Sequence, residues 1–199
     1  VLKPSDKILR HECKPVTRRE IHTNKLQAVI EQMLGIVYGQ SNKGENRNIN
    51  KPMTVGLSAN QIGIDKRISI VDLAISKKAY NDIHVLINPE IIWRSKSLQE
   101  KLEGCVNLPK IWGYVNRSKR VIIRAFDRSG NKIQIDASGL AAKLLQHEID
   151  HLNGILFIDH LKDPKKAHRV LDKETRAHKK AGKSWSKFID VTKLVKKIK

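Results

Sequence analysis

The sequence predicts an α+β fold in which antiparallel or mixed β-sheets pack around one central α-helix. Three observations predict it. Short apolar runs of strand character recur between Arg67 and Asp136. Two longer stretches carry apolar residues at the three- and four-residue spacing of a helix. No internal repeat or long linker interrupts the chain, so one main core is expected within its 199 residues.

Residues 1–16 read as an extended arm punctuated by Pro4 and Pro15. Residues 18–38 read as a helix, because Leu26, Val29, Ile30, Met33, Leu34 and Val37 make one apolar stripe. Residues 39–52, rich in Asn, Gly and Lys, read as a surface loop. Residues 67–73 contain ISIVDL and residues 84–88 are HVLIN, both strand-like; Pro89 stops or bends the second, and residues 90–93 continue it. Residues 120–126 (RVIIRAF) and 132–136 flank the turn DRSG and predict an antiparallel hairpin. The central helix spans 138–153, with Asp136 or Ser138 as its cap and Gly154 as its end. The ILFI that follows reads as a short strand.

At Lys162 the composition shifts. Residues 162–199 hold 14 Lys or Arg against 4 Asp or Glu, a net of +10 out of the chain's +19. Residues 167–178 have a helical pattern that Ala181-Gly182 breaks, and residues 184–199 read as a second short helix or a loose arm. The expected organisation is thus a domain over 1–161 and a basic, partly helical extension over 162–199.

Apolar residues make up 40% and aromatics 5%, so the core should rest on Ile, Leu and Val. No run approaches the ~20 apolar residues of a membrane span, so no membrane partner is expected. Lys3, Asp6, Lys7 and Arg10 interrupt any signal-like run, although a chain beginning with Val leaves a trimmed targeting segment open. Two cysteines, Cys13 and Cys105, make no disulfide framework and suit a reducing compartment. The strong positive charge favours polyanions such as RNA.

The chemistry centres on Gln146-His147-Glu148-Ile149-Asp150-His151. Two histidines four apart share a helix face and reach one metal ion. Glu148 sits beside the first, placed to act as a general base on a metal-bound water without being a ligand. The flanking Leu144, Leu145, Ile149 and Leu152 predict a buried helix, where two imidazoles and a carboxylate need partners. A catalytic site needs a third protein ligand, and Cys105 in Glu103-Gly104-Cys105-Val106-Asn107 is the best candidate; a buried structural thiol is the plainer alternative. Cys13 reads as structural.

Three segments together resemble the peptide deformylase family: Gly56-Leu57-Ser58-Ala59-Asn60-Gln61 for its GLAAxQ-type motif, Glu103-Gly104-Cys105-Val106-Asn107 for EGCLS, and His147-Glu148-Ile149-Asp150-His151 for HExDH. They follow the family's order over roughly residues 1–161. The resemblance implies removal of the formyl group from N-formylmethionyl nascent peptides. It implies Cys105, His147 and His151 as ligands of one divalent metal ion, Fe²⁺ natively, with Zn²⁺, Ni²⁺ or Co²⁺ possible in a purified sample. Glu148 is implied as the proton-transferring residue, and the Gln61 side chain and Val106 backbone N–H as oxyanion donors. Gly56 would align the substrate's backbone. Val55, Leu140 and Leu144 would line a methionine pocket, and Trp112 the groove beyond it. Glu103 would pair with Arg117 to hold the cysteine segment. The chain departs from the family at Thr54 (often glycine), at Ser58 (alanine) and at Val106-Asn107 (Leu-Ser).

Some deformylases dock on the ribosome through a C-terminal segment, and the basic tail fits that role, with Trp185 available to stack on an rRNA base. The expected protein is a monomer of the bacterial cytoplasm, with a mitochondrial or plastid matrix as the alternative. Two other functions compete: a catalytically weak or inactive ribosome- or RNA-binding relative, and a metallopeptidase acting on unformylated chains.

Overall fold

Helical stripe and strand runs assemble into two antiparallel sheets around one buried helix in a computed structural model, which describes residues 1–38, 54–76 and 82–195. Thr17 opens α1 (Arg18–Ile21) with a capping box: its hydroxyl accepts from the Glu20 N–H, and the Glu20 carboxylate accepts from the Thr17 N–H at 2.8 Å. Thr23 then caps α2 (Asn24–Tyr38), its hydroxyl accepting from the Leu26 N–H at 3.3 Å. The single helix expected over 18–38 is therefore two, because a second hydroxyl cap interrupts it. The loop expected over 39–52 lies outside the described residues.

The first sheet contains β1 (Gly56–Ser58), β2 (Ile68–Asp72) and β3 (Ile83–Arg94). The second begins with β4 (Leu98–Cys105) and β5 (Leu108–Ser118). The chain then returns to the first through β6 (Arg120–Phe126) and β7 (Lys132–Ser138). Strand order in the first sheet is β1-β2-β3-β6-β7, every pair antiparallel. β3 continues past Pro89 with a register shift, Asn88 taking a positive φ of 52°. The β6–β7 hairpin closes over the DRSG turn, whose Asp127 carboxylate accepts from the Ser129 and Asn131 N–H groups.

The sheet buries both faces. On β2, Ile68 and Ile70 pack with Leu26, Ile30 and Met33 of α2, whereas Val71 packs with Leu144, Leu145 and Ile149 of α3 (Gly139–Leu152). That period of two is what sandwiches the sheet between the two helices. Ser138 stands at the α3 N-cap position but makes no side-chain cap bond, and Asp136 pairs with Arg120 instead. Gly154, at φ +70°, ends the helix.

The second sheet runs β4-β5-β8-β9, where β8 is Ala167–Arg169 and β9 is Phe188–Ile189. Between them lies α4 (Thr175–Ala181). Three expectations are corrected here. ILFI is not a strand: the Asp159 carboxylate accepts from the Leu156 N–H at 2.7 Å and turns Phe157–His160 into a 3-10 helix. Residues 167–178 are not one helix, because Ile111 and Trp112 of β5 draw Arg169 and His168 into a ladder. Residues 184–195 are not a loose arm: β9 pairs with β8, and Val191 packs beside Leu108, Val115 and Phe157. The β4–β5 hairpin itself escaped the sequence reading. Among the described residues, no helix is long and apolar enough to cross a membrane.

Candidate active site

Helix α3 runs past β1 and β2 and carries His147, Glu148 and His151 toward the end of β4, where Cys105 sits. One turn of helix separates the imidazoles, so both Nε2 atoms point to the same place, 3.3 Å apart. Cys105 Sγ lies 3.3 Å from His151 Nε2, and the three donor atoms fall within 4.8 Å of one another. A tetrahedral ion with Zn–N near 2.05 Å and Zn–S near 2.3 Å would hold its nitrogens about 3.4 Å apart and its sulfur about 3.6 Å from each. The donor set therefore fits one metal ion.

The groups behind the donors support the same conclusion. Glu103 Oε2 lies 2.9 Å from His147 Nδ1, which holds a proton there and turns Nε2 toward the other donors. Arg117 grips Glu103 with two bonds, Nε to Oε1 and Nη2 to Oε2, each 3.0 Å, and its Nη1 donates to Asp150. Arg117, Glu103 and Asp150 are all buried. Burial by itself pushes a thiol up, but His151 and His147 more than reverse this, and the Cys105 thiol falls well below its ordinary value. Burial likewise opposes charge on His147, yet Cys105 and Glu103 raise it from 6.5 to about 10. Glu103, Asp150 and a Cys105 thiolate gather three negative charges against Arg117 and a proton on His147, and a divalent cation that displaces this proton balances the remainder.

Glu148 is buried beside the donors, and burial, its largest influence, raises its carboxyl above 4.5. Ser58 Oγ donates to Glu148 Oε2 at 2.8 Å and is bonded to Ser69 Oγ at 2.8 Å. A side chain at Gly56 would collide with Glu148 Oε1 and Leu144 Cδ1, so the glycine lets β1 run directly over the carboxylate. Gln61 closes the far side. Its Oε1 accepts from the Ser58 N–H at 2.7 Å, and its Nε2 lies 3.2 Å from His151 Nε2 and 3.5 Å from Cys105 Sγ.

These groups open into a cleft of about 380 Å³. Val55, Gly56, Gln61, Glu103, Cys105, Val106, Trp112, Leu144, His147 and Glu148 all line it. Arg117 stands behind Glu103, and His151 is buried beneath the cleft floor. Leu140 is the exception and is not among the lining residues, whereas Lys143 is. Trp112 stands opposite Gly104 in the β4–β5 ladder. Cys13 is remote from this site, buried and free, its thiol pushed up to about 12 chiefly by burial. The sequence reading missed Val170, Asp172 and Thr175 of the extension, which also line the cleft; nothing in their local pattern signals it. Trp185 is corrected too: its ring is buried 5.2 Å from that of His178, with Nε1 donating to the Arg169 carbonyl, so it offers no free face for base stacking.

The family profile described as Polypeptide deformylase matches residues 1–167. The peptide deformylase of Methylocella silvestris is 37% identical over 176 residues, covering 87% of this chain and 82% of its own. That of Syntrophomonas wolfei is 41% identical over 156 residues, covering 78% and 88%. Among solved structures, a peptide deformylase from Synechococcus elongatus in complex with actinonin superposes with a TM-score of 0.72 at 28% identity, covering all of this chain and 90% of its own. A Met-Ala-Ser-bound class I type b peptide deformylase from Acinetobacter baumannii gives 0.69 at 29%, covering 81% and 96%.

Proposed function

The chain belongs to the peptide deformylase family, a metal-dependent hydrolase removing the formyl group from nascent peptides, and from that premise we propose how its own residues divide the reaction. The observation that carries the proposal is the convergence of Cys105, His147 and His151 on one point, with Glu148 and Gln61 in the same cleft.

Cys105, His147 and His151 hold one divalent ion, which when bound polarises the formyl carbonyl and makes water a nucleophile at neutral pH. We assign Fe²⁺ as the native ion; a thiolate-bound ferrous ion oxidises readily, so Zn²⁺, Ni²⁺ or Co²⁺ can replace it in a preparation. Glu148 accepts the proton of the attacking water, the oxygen bonds to the formyl carbon, and the C–N bond breaks as Glu148 returns the proton to the amine. The products are formate and a free N-terminus. The Gln61 amide and the Val106 N–H donate to the oxygen as it becomes anionic; one such donor is worth ~3 kcal/mol. Val55 and Leu144 contact the methionine side chain, Gly56 pairs with substrate backbone, and Trp112 lines the groove for residues that follow. The Met-Ala-Ser held by the Acinetobacter enzyme suits a cleft of this kind.

Release of formate from formyl-Met-Ala-Ser by protein loaded with Fe²⁺ or Ni²⁺ tests the assignment. Glu148→Ala should keep its metal and lose roughly 10²- to 10⁴-fold in rate. Equal rates for the two proteins would sink it, and cleavage of internal bonds in unformylated peptides would favour the peptidase reading. The inactive-relative reading finds no support in the matches.

We further propose that residues 1–161 form the catalytic unit, that the extension completes its cleft, and that the protein is a monomer of the bacterial cytoplasm, as its bacterial relatives suggest. The extension's +10 charge suits docking on ribosomal RNA through phosphate contacts alone, which should weaken steeply with salt. Reversing Lys173, Lys179 and Lys180 to Glu should abolish co-sedimentation with ribosomes at low salt; retained binding removes the docking proposal.

A further inference from the structure

Gln61 can serve as an oxyanion donor only if its carboxamide faces the right way, because its oxygen and nitrogen ends have nearly the same shape. The surroundings decide the matter. Gln61 Nε2 donates to Asn107 Oδ1 at 2.8 Å, at the end opposite the oxygen held by the Ser58 N–H. Asn107 is itself fixed. Its Nδ2 donates to the Leu2 carbonyl at 2.8 Å and to the Gln61 carbonyl at 3.3 Å. Leu2 returns to the same residue, its N–H donating to the Gln61 carbonyl at 2.9 Å. Asn107 is 1% exposed, so none of these bonds can be exchanged cheaply for water.

We infer that Asn107 is the positioning residue for the Gln61 amide: it takes one Gln61 N–H and leaves the other facing Cys105 Sγ and His151 Nε2, where the reacting oxygen would lie. This rests on the oxyanion role proposed for Gln61. Rotating Asn107 would set its oxygen against two carbonyls. Rotating Gln61 would set oxygen against Asn107 Oδ1 and nitrogen against the Ser58 N–H. Each amide thus blocks the flip of the other. A hydroxyl at 107, the group the family carries there, would hold Gln61 with fewer bonds, since its single hydrogen serves one carbonyl where Asn107 serves two. The N-terminal arm is part of the device through Leu2, so the donor is braced by chain distant in sequence.

A double-mutant cycle tests the inference. Gln61→Ala, Asn107→Ala and the double variant are compared with the wild type for kcat and KM on formyl-Met-Ala-Ser, with metal per chain and thermal midpoint measured on each. Gln61→Ala should lower kcat roughly a hundredfold. Asn107→Ala should lower kcat roughly tenfold or more with KM within about twofold, because a misplaced donor affects the transition state and not ground-state binding. In the Gln61→Ala background, Asn107→Ala should cost nothing further. Wild-type kcat in Asn107→Ala, or the same fold loss with and without Gln61, overturns the positioning role. An unaffected Gln61→Ala instead overturns the oxyanion reading beneath it. If Asn107→Ala does not retain one metal per chain, Asn107→Leu, which keeps the volume and removes both amide ends, enters the cycle under the same criteria.

Discussion

Behind His147, the cleft is backed by charge: Arg117 is locked between Glu103 and Asp150, and Glu103 passes the interaction to the imidazole. Across the cleft, Glu148 and Gln61 are held by neutral groups, namely the Ser58 and Ser69 hydroxyls, the Ser58 N–H and the Asn107 amide. The two sides face different tasks. The metal's charge is permanent, so fixed countercharges and a fixed tautomer hold its ligands throughout the cycle. Charge on the substrate oxygen exists only near the transition state, and oriented dipoles stabilise it there without neutralising the resting site.

The charged side should therefore be the harder to break. Arg117→Met removes the guanidinium that bridges two buried carboxylates and should cost about 3–5 kcal/mol of stability in urea melts, with loss of bound metal. A variant that melts like the wild type and keeps its metal would mean that Glu103 and Asp150 are neutralised by something other than Arg117, and the contrast would fail on its stronger side.

The extension sharpens the comparison because it holds histidines in the opposite condition. His168 Nδ1 and His178 Nε2 lie 2.9 Å apart, both buried, ringed by Trp112, Tyr114, Trp185 and Phe188. Burial lowers both, and the neighbouring His178 lowers His168 further, whereas the anions around His147 raise that residue. The sign follows directly. An imidazole whose folded pKa lies below its unfolded value of about 6.5 stays neutral in the fold, so the unfolded chain binds more protons as pH falls. The pair's contribution is complete above that value and declines below it. His178→Phe should melt at a lower temperature than the wild type at pH 8, and the gap should narrow as pH falls toward about 5.5. A gap independent of pH would show that the pair does not titrate.

The same contrast explains what the sequence disclosed. The imidazole pair and its carboxylate were legible because a helix converts a four-residue spacing into a shared face, whatever surrounds it. β6 and β7 were legible from their alternation and the DRSG turn. Cys105 was only a candidate from its own residues, and the family resemblance supplied its role, since β4 and α3 meet through the fold and not through any local pattern. β4 was illegible because Gln99-Glu100-Lys101 has little strand character, and β5 because Pro109 and Gly113 interrupt it. β8 and β9 are too short to exist without β5 beside them. The resemblance implies Leu140 for the methionine pocket along with Leu144, but a shared helix face does not reveal which of its residues reach the cavity.

Ser58 offers the mildest break, and it tests the neutral side. Its hydroxyl is one of several groups meeting at Glu148: it donates to Oε2 at 2.8 Å and lies 3.0 Å from the Glu148 carbonyl, with Ser69 behind it. Ser58→Ala keeps the backbone N–H that holds Gln61 and removes only the hydroxyl. A net hydrogen bond of this kind is worth about 1 kcal/mol, so stability should fall by about that much and kcat should change within about fivefold. The carboxylate is not stranded, because it lies beside the cleft where water and substrate reach it. If Ser58→Ala destabilises the protein as much as Arg117→Met, the neutral side is no more forgiving than the charged one. A small effect here beside a large one at Arg117 would locate the fragility of the site in its buried charges.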